Sequence, residues 1–477
     1  MKRGVLFVSL IGAVLVGTRF FTQNAQSAQT TPAAQQPPIV GPTVTGELSF
    51  AATGDSILLR PVSVYENEPS FAGLVKLIRE STVAFTNFEM SVFDTTKFEP
   101  TPQAEYGGLW VHGSPTQAKE VKWLGFDMVS RANNHTTDYG VEGMLETDKI
   151  LDEVGLVHAG SGATLGHARA PAYFQTAVGR IAIISTASSH SPSSRATYAR
   201  ADIKGRPGLS PLRWNRQIFF DPETFAKVKA AADSFRAGPP PAQPPPPDEV
   251  NLFGTRIKKG DKNRVELVAD ERDVKDIVAQ VRSARRQADF VFVTIHAHEP
   301  GNGVERPADF LPAFAHATID AGADMFIGHG PHMLRGIEIY KGKPIFYSLG
   351  NFFFHYQTLE PQAYDVFEST NLDPLRSTAA DLYDAVPGWG TSFRQDFWWE
   401  SVIAVSRFEA GRLKSVVLHP VDLGYGQPRP QIGTPRLAQP ALARKIIERL
   451  DKLSKPFGVD IRFVDGLGMV EFPVATR

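Results

Sequence analysis

The sequence has 477 residues, of which 42% are hydrophobic and 21% charged, and its formal net charge is −1. A chain of this length and balance can bury one large core or two ordinary ones, so the composition excludes a disordered protein. The near-zero net charge provides no basic field, and no nucleic-acid partner is expected. Cysteine is absent, which excludes disulfides, thiolate metal sites and cysteine nucleophiles. Any metal must therefore be bound by His, Asp, Glu or Asn.

The N-terminal residues have the pattern of an export signal followed by a linker. Basic residues come directly after Met1, an apolar run that is short for a membrane span covers 5–17, and small residues follow it. We expect a signal peptide at 1–28, cleaved near Ser27, and a Pro/Ala/Gln-rich linker at 29–46. The protein is therefore expected to be exported, in the periplasm or outside the cell. Retention of the N-terminal segment as a membrane anchor is the alternative.

From residue 47 onward, short apolar runs alternate with amphipathic helical patterns, which indicates an α/β fold. Apolar periodicity and capping residues predict helices at 114–125, 141–154, around 274–281, 308–322 and 441–453. Ser114 is the predicted N-cap of the first of these helices, with Gln117 three residues later and Gly125 as its end. Strands are predicted late in the chain as well, at 400–408 and 412–418.

We predict one domain over 47–425 that is interrupted by two irregular stretches. These are 191–267, which contains a proline-rich run, and 356–390; both are interpreted as insertions at the rim of the domain. Residues 426–477 form a C-terminal extension that is expected to pack on the domain.

Side chains that can bind metals follow one predicted strand after another. The five motifs are Gly54-Asp55, Asn87-Phe88-Glu89, Asn133-Asn134-His135, His296-Ala297-His298-Glu299 and Gly328-His329-Gly330-Pro331-His332. In open α/β sheets ligands bind outside the carboxyl ends of the strands, so we expect the motifs to lie in one pocket. Taken singly, Asp55 or Asn134 is an ordinary turn residue, but turn chemistry does not require paired histidines.

The residue types in these motifs indicate the class of metal. Imidazole suits zinc, iron and manganese, whereas carboxylate and amide oxygens suit manganese, magnesium or calcium. The mixture predicts one or two divalent ions of Mn, Fe or Zn per chain. Histidines outside the motifs, such as His112, His158 and His419, are interpreted as structural or surface residues, because one imidazole alone binds no metal tightly.

The five motifs resemble, in order, those of the bacterial poly-γ-glutamate capsule synthesis proteins of the CapA or PgsA family. The resemblance spans about 47–423 and includes Asp138 and Gly140 after the third motif, the segment 347–352 and the tail 454–458. Proteins of this family are similar in turn to calcineurin-like metallophosphoesterases. The resemblance therefore implies an α/β protein with a four-layer α/β/β/α sandwich and a centre for two metal ions.

The resemblance also implies a role for the motif residues. The implied metal ligands are Glu89 as the bridge, Asn134, His296 and His329 in one site, and Asp55 and His332 in the other. His135 would lie beside the substrate as a general acid or oxyanion donor, with Asn133 beside it in the catalytic motif. Arg206 and His298 are the predicted substrate-binding residues. Such a centre would hydrolyse a phosphoester by in-line displacement.

Two departures from the family pattern concern the second ion. Phosphoesterases of this kind carry a histidine two residues after the first aspartate, and Ile57 stands at that position. In the fourth motif His298 replaces a glycine, and Glu299 comes one residue early. The second site therefore lacks a donor, and about one tightly held ion is expected unless His298 reaches the second metal.

Two classes of function stay open at this point. One is a metal-dependent phosphoester hydrolase that acts outside the cytoplasm in capsule or cell-envelope polymer biosynthesis. The other is a non-catalytic, metal-binding factor that helps a membrane-bound synthase complex to assemble or export an anionic polymer. The motif chemistry favours the first and the family name the second, and the fold alone does not decide, because function belongs to the site.

A third interpretation is a module that binds an anionic polymer through basic side chains. Arg206, Arg213 and Arg335 are its candidates, since guanidinium matches carboxylate and phosphate, although such arginines are more often solvated surface residues. Trp398 and Trp399 could form a sugar platform, but aromatic residues beside a strand more often pack in a core.

Overall fold

The computed structural model describes residues 46–103, 108–235, 246–385 and 395–472. The predicted signal peptide, and all of the predicted linker except its last residue, lie outside these ranges. Part of the proline-rich run of the first insertion lies outside them as well. Among the residues that the structure describes, none of the helices has the length and apolar character needed to cross a membrane.

The strands are numbered in chain order. They are β1 Glu47–Ile57, β2 Val83–Phe88, β3 Ser91–Val92, β4 His112–Gly113, β5 Met128–Ser130, β6 Val157–Ala159, β7 Ser161–Gly162, β8 Ala172–Thr176, β9 Gly179–Ala187, β10 Gly208–Leu209, β11 Trp214–Phe220, β12 Glu249–Leu252, β13 Thr255–Lys259, β14 Arg264–Ala269, β15 Phe290–His296, β16 Met325–His329, β17 Leu334–Tyr340, β18 Lys343–Leu349, β19 Asn351–Phe354, β20 Glu400–Glu409, β21 Arg412–Asp422, β22 Arg436–Leu437, β23 Ile461–Val464 and β24 Leu467–Val470.

The helices include every one that the periodicity predicts. They are α1 Pro69–Glu80, α2 Pro115–Leu124, α3 Gly140–Val154, α4 Leu165–Arg169, α5 Pro222–Ser234, α6 Glu271–Arg285, α7 Phe310–Asp320, α8 Tyr364–Ser369, α9 Ala379–Ala385 and α10 Pro440–Ser454. The predicted capping of α2 is confirmed: Ser114 and Gln117 form a capping box, and Gly125 ends the helix with a φ of 106°.

Two sheets carry the domain. The larger has the strand order β23-β24-β21-β20-β1-β2-β5-β6, with β19 beside β1 and β22 beside β21, and the smaller has the order β17-β18-β16-β15-β9-β8. Strands β1, β2, β5 and β6 are parallel to one another, as are β9, β15, β16 and β18. The motif-bearing strands of each sheet therefore end at one edge.

Apolar clusters separate the layers of the domain. One lies between helices α1 to α3 and the larger sheet, a second between the two sheets, and a third between the smaller sheet and helices α6 and α7. In β15, Phe290 and Phe292 belong to the cluster between the sheets, whereas Val291 and Val293 belong to the cluster under the helices, because successive strand side chains point to opposite faces. The predicted four-layer α/β/β/α sandwich is confirmed.

The first insertion is more regular than its sequence indicated. It contains a sheet of its own with the order β12-β13-β11-β14, and helix α5 packs on it through a small core of Phe225, Val250 and Ile257. Its strands are short and half-exposed, so their periodicity is weak.

The residues after 425 continue the larger sheet. Strand β24 pairs with β21, with Met469 opposite Val417, and β23 follows at the edge. Helix α10 contributes Ile446 and Leu450 to the cluster between the sheets. The C-terminal residues therefore complete the core.

Candidate metal centre

The ends of the parallel strands of both sheets meet at one place. Asp55 lies in β1, Glu89 directly after β2, and His296 and His329 are the last residues of β15 and β16. Oδ1 of Asp55 lies 3.6 Å from Nδ1 of His296 and 3.4 Å from Nδ1 of His329. Oε1 of Glu89 lies 3.6 Å from Nε2 of His296. The structure thus brings together residues that the sequence places in four separate motifs.

The glycines of two motifs allow this close approach. A Cβ atom on Gly54 would lie 1.8 Å from the carbonyl oxygen of Gly350, so no side chain fits beside Asp55. Gly330 has a φ of 118°, and its backbone N–H donates to Oδ2 of Asp55 at 2.9 Å. The motif glycines therefore bring backbone within reach of the aspartate.

His332 lies at the side of the cluster in a strained conformation. Its φ is 56°, which is uncommon for a residue with a side chain. Its Nδ1 atom lies 2.8 Å from Oδ1 of Asn351 and 3.9 Å from Oδ2 of Asp55, and its ring stacks on Trp398 with centroids 5.2 Å apart. Surrounding groups thus hold the imidazole beside the aspartate.

The pKa values of the two buried carboxyl groups, Asp55 and Glu89, are shifted in opposite directions. Burial works to raise the pKa of Asp55, but the hydrogen bonds and charges of His296 and His329 outweigh it and hold that pKa well below its usual value. For Glu89, burial and then the negative charge of Asp55 raise the pKa well above its usual value. Within the described part of the chain, no lysine or arginine forms an ion pair with either group.

The donor atoms fit a divalent metal. Both carboxylate oxygens of Glu89 and Oδ1 of Asn134 are buried and have no hydrogen-bond partner. Since an unpaired buried carboxylate is costly, the arrangement matches one that a cation completes. Three groups have donor atoms within 4.8 Å of one another: Asp55 with His296 and His329, Glu89 with His296 and His298, and Asp55 with Glu89 and His332. Nitrogen and oxygen donors without sulfur suit Mn, Fe or Zn.

The third motif forms a turn against Glu89. Asn133 donates from Nδ2 to Oδ1 of Asn87 at 3.2 Å and to the carbonyl oxygen of Phe88 at 2.9 Å, so its side chain fixes the second motif. Nε2 of His135 lies 4.0 Å from Oε1 of Glu89. Of the two predicted catalytic residues, His135 therefore faces the cluster, and Asn133 ties two motifs together.

His298 lies among the metal-competent groups. Its Nε2 atom is 2.9 Å from Nε2 of His296, and its ring centroid is 5.2 Å from that of His332. Ile57, at the position of the missing ligand, is fully buried in the apolar cluster under helices α1 to α3. The cluster therefore holds four imidazole rings, one more than the predicted ligand set.

The predicted substrate-binding Arg206 is tied to its own loop. Its guanidinium donates to the carbonyl oxygens of Arg195 at 2.9 Å and Pro192 at 3.2 Å. These bonds hold the loop together, and a role for Arg206 towards substrate stays a prediction.

The other candidates for polymer binding are used inside the fold. Arg213 pairs with Asp273, with Nε 2.7 Å from Oδ2. Arg335 is fully buried, so it offers no surface to a polymer, and that expectation is wrong. Trp398 and Trp399 are also buried, as expected for packing residues. The prediction for Arg335 failed because its guanidinium donates to backbone carbonyl oxygens, and no sequence pattern indicates such bonds.

Several residues around the cluster were not predicted as site residues. They are Asn87, which donates to Asp55 at 2.8 Å, Asn351 beside His332, Thr294 with Oγ1 2.7 Å from Nε2 of His329, and Asn302 beside His298. Asn87 and Asn351 stand in segments that carry the family resemblance, so a signal existed for both. Thr294 and Asn302 have no such signal.

The four layers, with a buried cluster of carboxylates and imidazoles at the strand ends, define an α/β protein of the calcineurin-like metallophosphoesterase architecture. The profile of the bacterial capsule synthesis protein family PGA_cap matches residues 42–356. The chain belongs to this family.

The relatives match between 46% and 91% of the chain. The protein y4sH of Sinorhizobium fredii is 40% identical over 91% of this chain and 95% of its own length. The PGA biosynthesis protein CapA of Bacillus subtilis is 26% identical over 64% of this chain and 63% of its own length. A Mycobacterium tuberculosis protein named for an accessory role in polyglutamine synthesis is 29% identical over 46% of this chain and 43% of its own length.

Proposed function

We propose that the protein is an exported, metal-dependent phosphoester hydrolase that serves the biosynthesis of a capsule or cell-envelope polymer of the poly-γ-glutamate kind. The observation that carries the proposal is Glu89, whose two buried oxygens have no hydrogen-bond partner and whose Oε1 lies 3.6 Å from Nε2 of His296. A buried carboxylate without hydrogen-bond partners is costly, and a bound cation would offset this cost. The family membership supports the polymer, and the N-terminal pattern supports export.

The metal ligands of the proposal come from all five motifs. They are Asp55, Glu89, Asn134, His296, His329 and His332. Bound divalent ions would supply Lewis-acid stabilisation and an activated water. The protein supplies a buried, rigid frame: Thr294 orients His329 at 2.7 Å and Asn351 orients His332 at 2.8 Å, which fixes the rings for binding.

His135 is the residue proposed to move a proton. Its Nδ1 atom is held by Asp138 and its Nε2 atom faces the cluster, so that Nε2 can donate to a leaving-group oxygen or stabilise a charged one. Asn133 acts as a positioning residue, since it fixes the backbone that precedes Glu89.

A second candidate function is a non-catalytic metal-binding factor for the assembly or export of an anionic polymer, acting with a membrane-bound synthase. Ile57 favours this alternative, because the position offers no donor and the centre differs there from hydrolytic enzymes of the same architecture. The accessory role in the name of the Mycobacterium tuberculosis relative is consistent with it.

A substrate screen separates the two functions. The purified full chain is loaded with Mn²⁺, Fe²⁺ or Zn²⁺ and assayed on p-nitrophenyl phosphate and bis(p-nitrophenyl) phosphate, with Glu89→Gln as the inactive variant and the exposed His167→Ala as the matched control. Metal-dependent hydrolysis that Glu89→Gln abolishes and His167→Ala retains supports the hydrolase. Retained metal without hydrolysis of either ester rejects the hydrolase on these substrates and favours the assembly factor.

A further inference from the structure

His298 and His296 present their rings side by side at the end of β15. His296 is the last residue of the strand, and His298 follows it by two residues. Their ring centroids are 4.8 Å apart, and the two Nε2 atoms are separated by 2.9 Å. Oε1 of Glu89 lies 3.6 Å from Nε2 of His296. Two donors bound to one ion at about 2.1 Å each stand about 3.0–3.4 Å apart. The observed separations of 2.9 and 3.6 Å lie just outside the two ends of this range, so small side-chain movements would admit a shared ion.

The second nitrogen of His298 is held by an acceptor. Nδ1 lies 2.8 Å from Oδ1 of Asn302, and because an amide oxygen only accepts, Nδ1 carries the proton and Nε2 keeps its lone pair. A histidine that binds metal usually donates its other N–H in this way. The tautomer of His298 is thus the one that a ligand needs.

The loop that carries His298 is fixed from two sides. The backbone N–H of His298 donates to Oγ of Ser189 at 2.8 Å, and the next residue, Glu299, accepts from Ser188 and Ser189 at 2.6 and 2.8 Å. From the other side, the buried Arg335 donates to the carbonyl oxygens of the loop. The ring is therefore positioned before any ion arrives.

We propose that His298 is a metal ligand that joins Glu89 and His296 around one ion and makes up for the donor missing at Ile57. The inference rests on the proposed metal-dependent function. It also reassigns His329, whose Nδ1 atom lies 3.4 Å from Oδ1 of Asp55. With His298 serving the Glu89 ion, His329 is available to the Asp55 ion, and each ion has enough protein donors to be retained.

The competing explanation is a hydrogen bond between the two imidazoles. One ring nitrogen would then donate to the other, and His298 would contribute packing or substrate contacts but no coordination. Metal binding separates the explanations, because a hydrogen bond outside the coordination sphere does not change the number of ligands.

The test measures Co²⁺ binding to the full chain, with dissociation constants from titration, the visible absorption of the bound ion, and the number of ions retained after dialysis. We expect His298→Ala to weaken one ion about tenfold or more and to change its absorption spectrum, while the matched control His167→Ala leaves both unchanged. His298→Gln carries the same expectation if the alanine variant fails to fold. Unchanged constants and spectrum in a folded His298 variant overturn the inference.

A second experiment, in the Asp55→Asn variant, identifies which of the two ions His298 binds. Asp55→Asn should weaken the Asp55 ion and leave the Glu89 ion in place, so that adding His298→Ala to it removes the remaining ion. A double variant that still retains this ion contradicts the assignment to Glu89 and His296. If the parent chain binds no Co²⁺, Mn²⁺ or Zn²⁺ at all, the proposed function fails together with the inference. If the parent binds metal but hydrolyses no ester, the inference is still decided by the titration.

Discussion

Nδ1 of His135 lies 2.7 Å from Oδ2 of Asp138, and both side chains are buried at the edge of the metal centre. The same carboxylate oxygen accepts from the backbone N–H of Val111 at 2.8 Å, so the aspartate is itself held in place. The pair fixes the orientation of the imidazole and leaves Nε2 directed at Glu89. A carboxylate that orients a histidine in this way tunes its ability to donate a proton.

Replacement of Asp138 by asparagine should therefore lower hydrolysis without removing metal. We expect kcat on the hydrolysed ester to fall about tenfold to a hundredfold, because the imidazole loses its charged partner while the ligands stay in place. The measurement is kcat together with metal content. Unchanged kcat, or loss of kcat only in proportion to lost metal, would contradict the proton-transfer role of His135.

Removal of metal should destabilise the protein. With free ion at about 100 times its dissociation constant, binding adds about 2.7 kcal/mol to the free energy of unfolding, and a chelator abolishes this gain. Thermal unfolding of the chelated chain should occur at a lower temperature, and Mn²⁺, Fe²⁺ or Zn²⁺ should restore it better than Ca²⁺, since imidazole is a poor calcium ligand. The same chelator should have a smaller effect on Glu89→Gln, which has lost the donors of one ion. If the melting temperature of the parent protein does not change on addition of the chelator, the proposed metal centre is wrong.

Arg335 should be a major source of stability for the fourth motif. Its guanidinium is fully buried in β17 and donates to a set of backbone carbonyl oxygens, those of Ala297, His298, Glu299, Gly301 and Val304. Methionine at this position would leave these acceptors unpaired, and we expect the free energy of unfolding to fall by about 3 kcal/mol or more. Arg335→Lys should retain only part of this stability, because lysine lacks the planar group of five N–H donors that arginine carries.

Urea unfolding measures this effect, with the exposed Arg200→Lys as the matched control. Arg200 pairs with Asp202 at the surface, where such pairs contribute about 0–1 kcal/mol. An Arg335→Met variant as stable as the control would show that water replaces the guanidinium in the loop.

Asp273 should make stability depend on pH. Its carboxylate is buried between Arg169 and Arg213. Burial works to raise its pKa, but the hydrogen bonds from Arg213 and Arg169 outweigh it and lower the pKa below the usual value. A lowered folded-state pKa means that the stabilisation is present above the unfolded-state value of about 3.9 and is lost as the pH falls through the folded-state value.

Asp273→Asn should therefore cost about 3 kcal/mol at pH 7, since it breaks a buried ion pair, and the difference from the parent should shrink below about pH 4. Urea unfolding of the parent and the variant at pH 7 and at pH 3 measures this difference in stability. The exposed Asp202→Asn serves as the control. A difference that is the same at pH 7 and pH 3 would show that packing, and not charge, accounts for the loss.

The sequence predicts the elements and the convergence of the motifs because both depend on regular geometry. Apolar periods of two and 3.6 residues place the strands and helices, and parallel strands in one sheet end at one edge. The rule that parallel strands end at one edge is sufficient to predict that four side chains lie close together, those of Asp55, Glu89, His296 and His329. Their roles as ligands stay predictions until an ion is bound.

What escaped prediction depends on contacts between distant segments. The sheet of the first insertion forms from short strands that are half-exposed, so its pattern is weak until the strands pair. Arg335 reads as a surface residue from its type, and its burial is possible only because a loop elsewhere in the chain supplies carbonyl acceptors. The orientation of His298 depends in the same way on Asn302 and Ser189.

The burial of the donors has a consequence for the timing of metal exchange. Asp55, Glu89, His296 and His329 have no exposed surface, and among the metal-competent groups only His298 and His332 reach solvent in part. We therefore expect an ion to exchange slowly, through the partly exposed side of the cluster beside His298 and His332. Because Arg335 donates to the backbone of His298, the residence time of the ion would depend on the mobility of this loop as well as on the bond strengths. A chain loaded while it folds would then keep its first ion, and the metal in the purified protein would record the supply at that moment more than the preference at equilibrium.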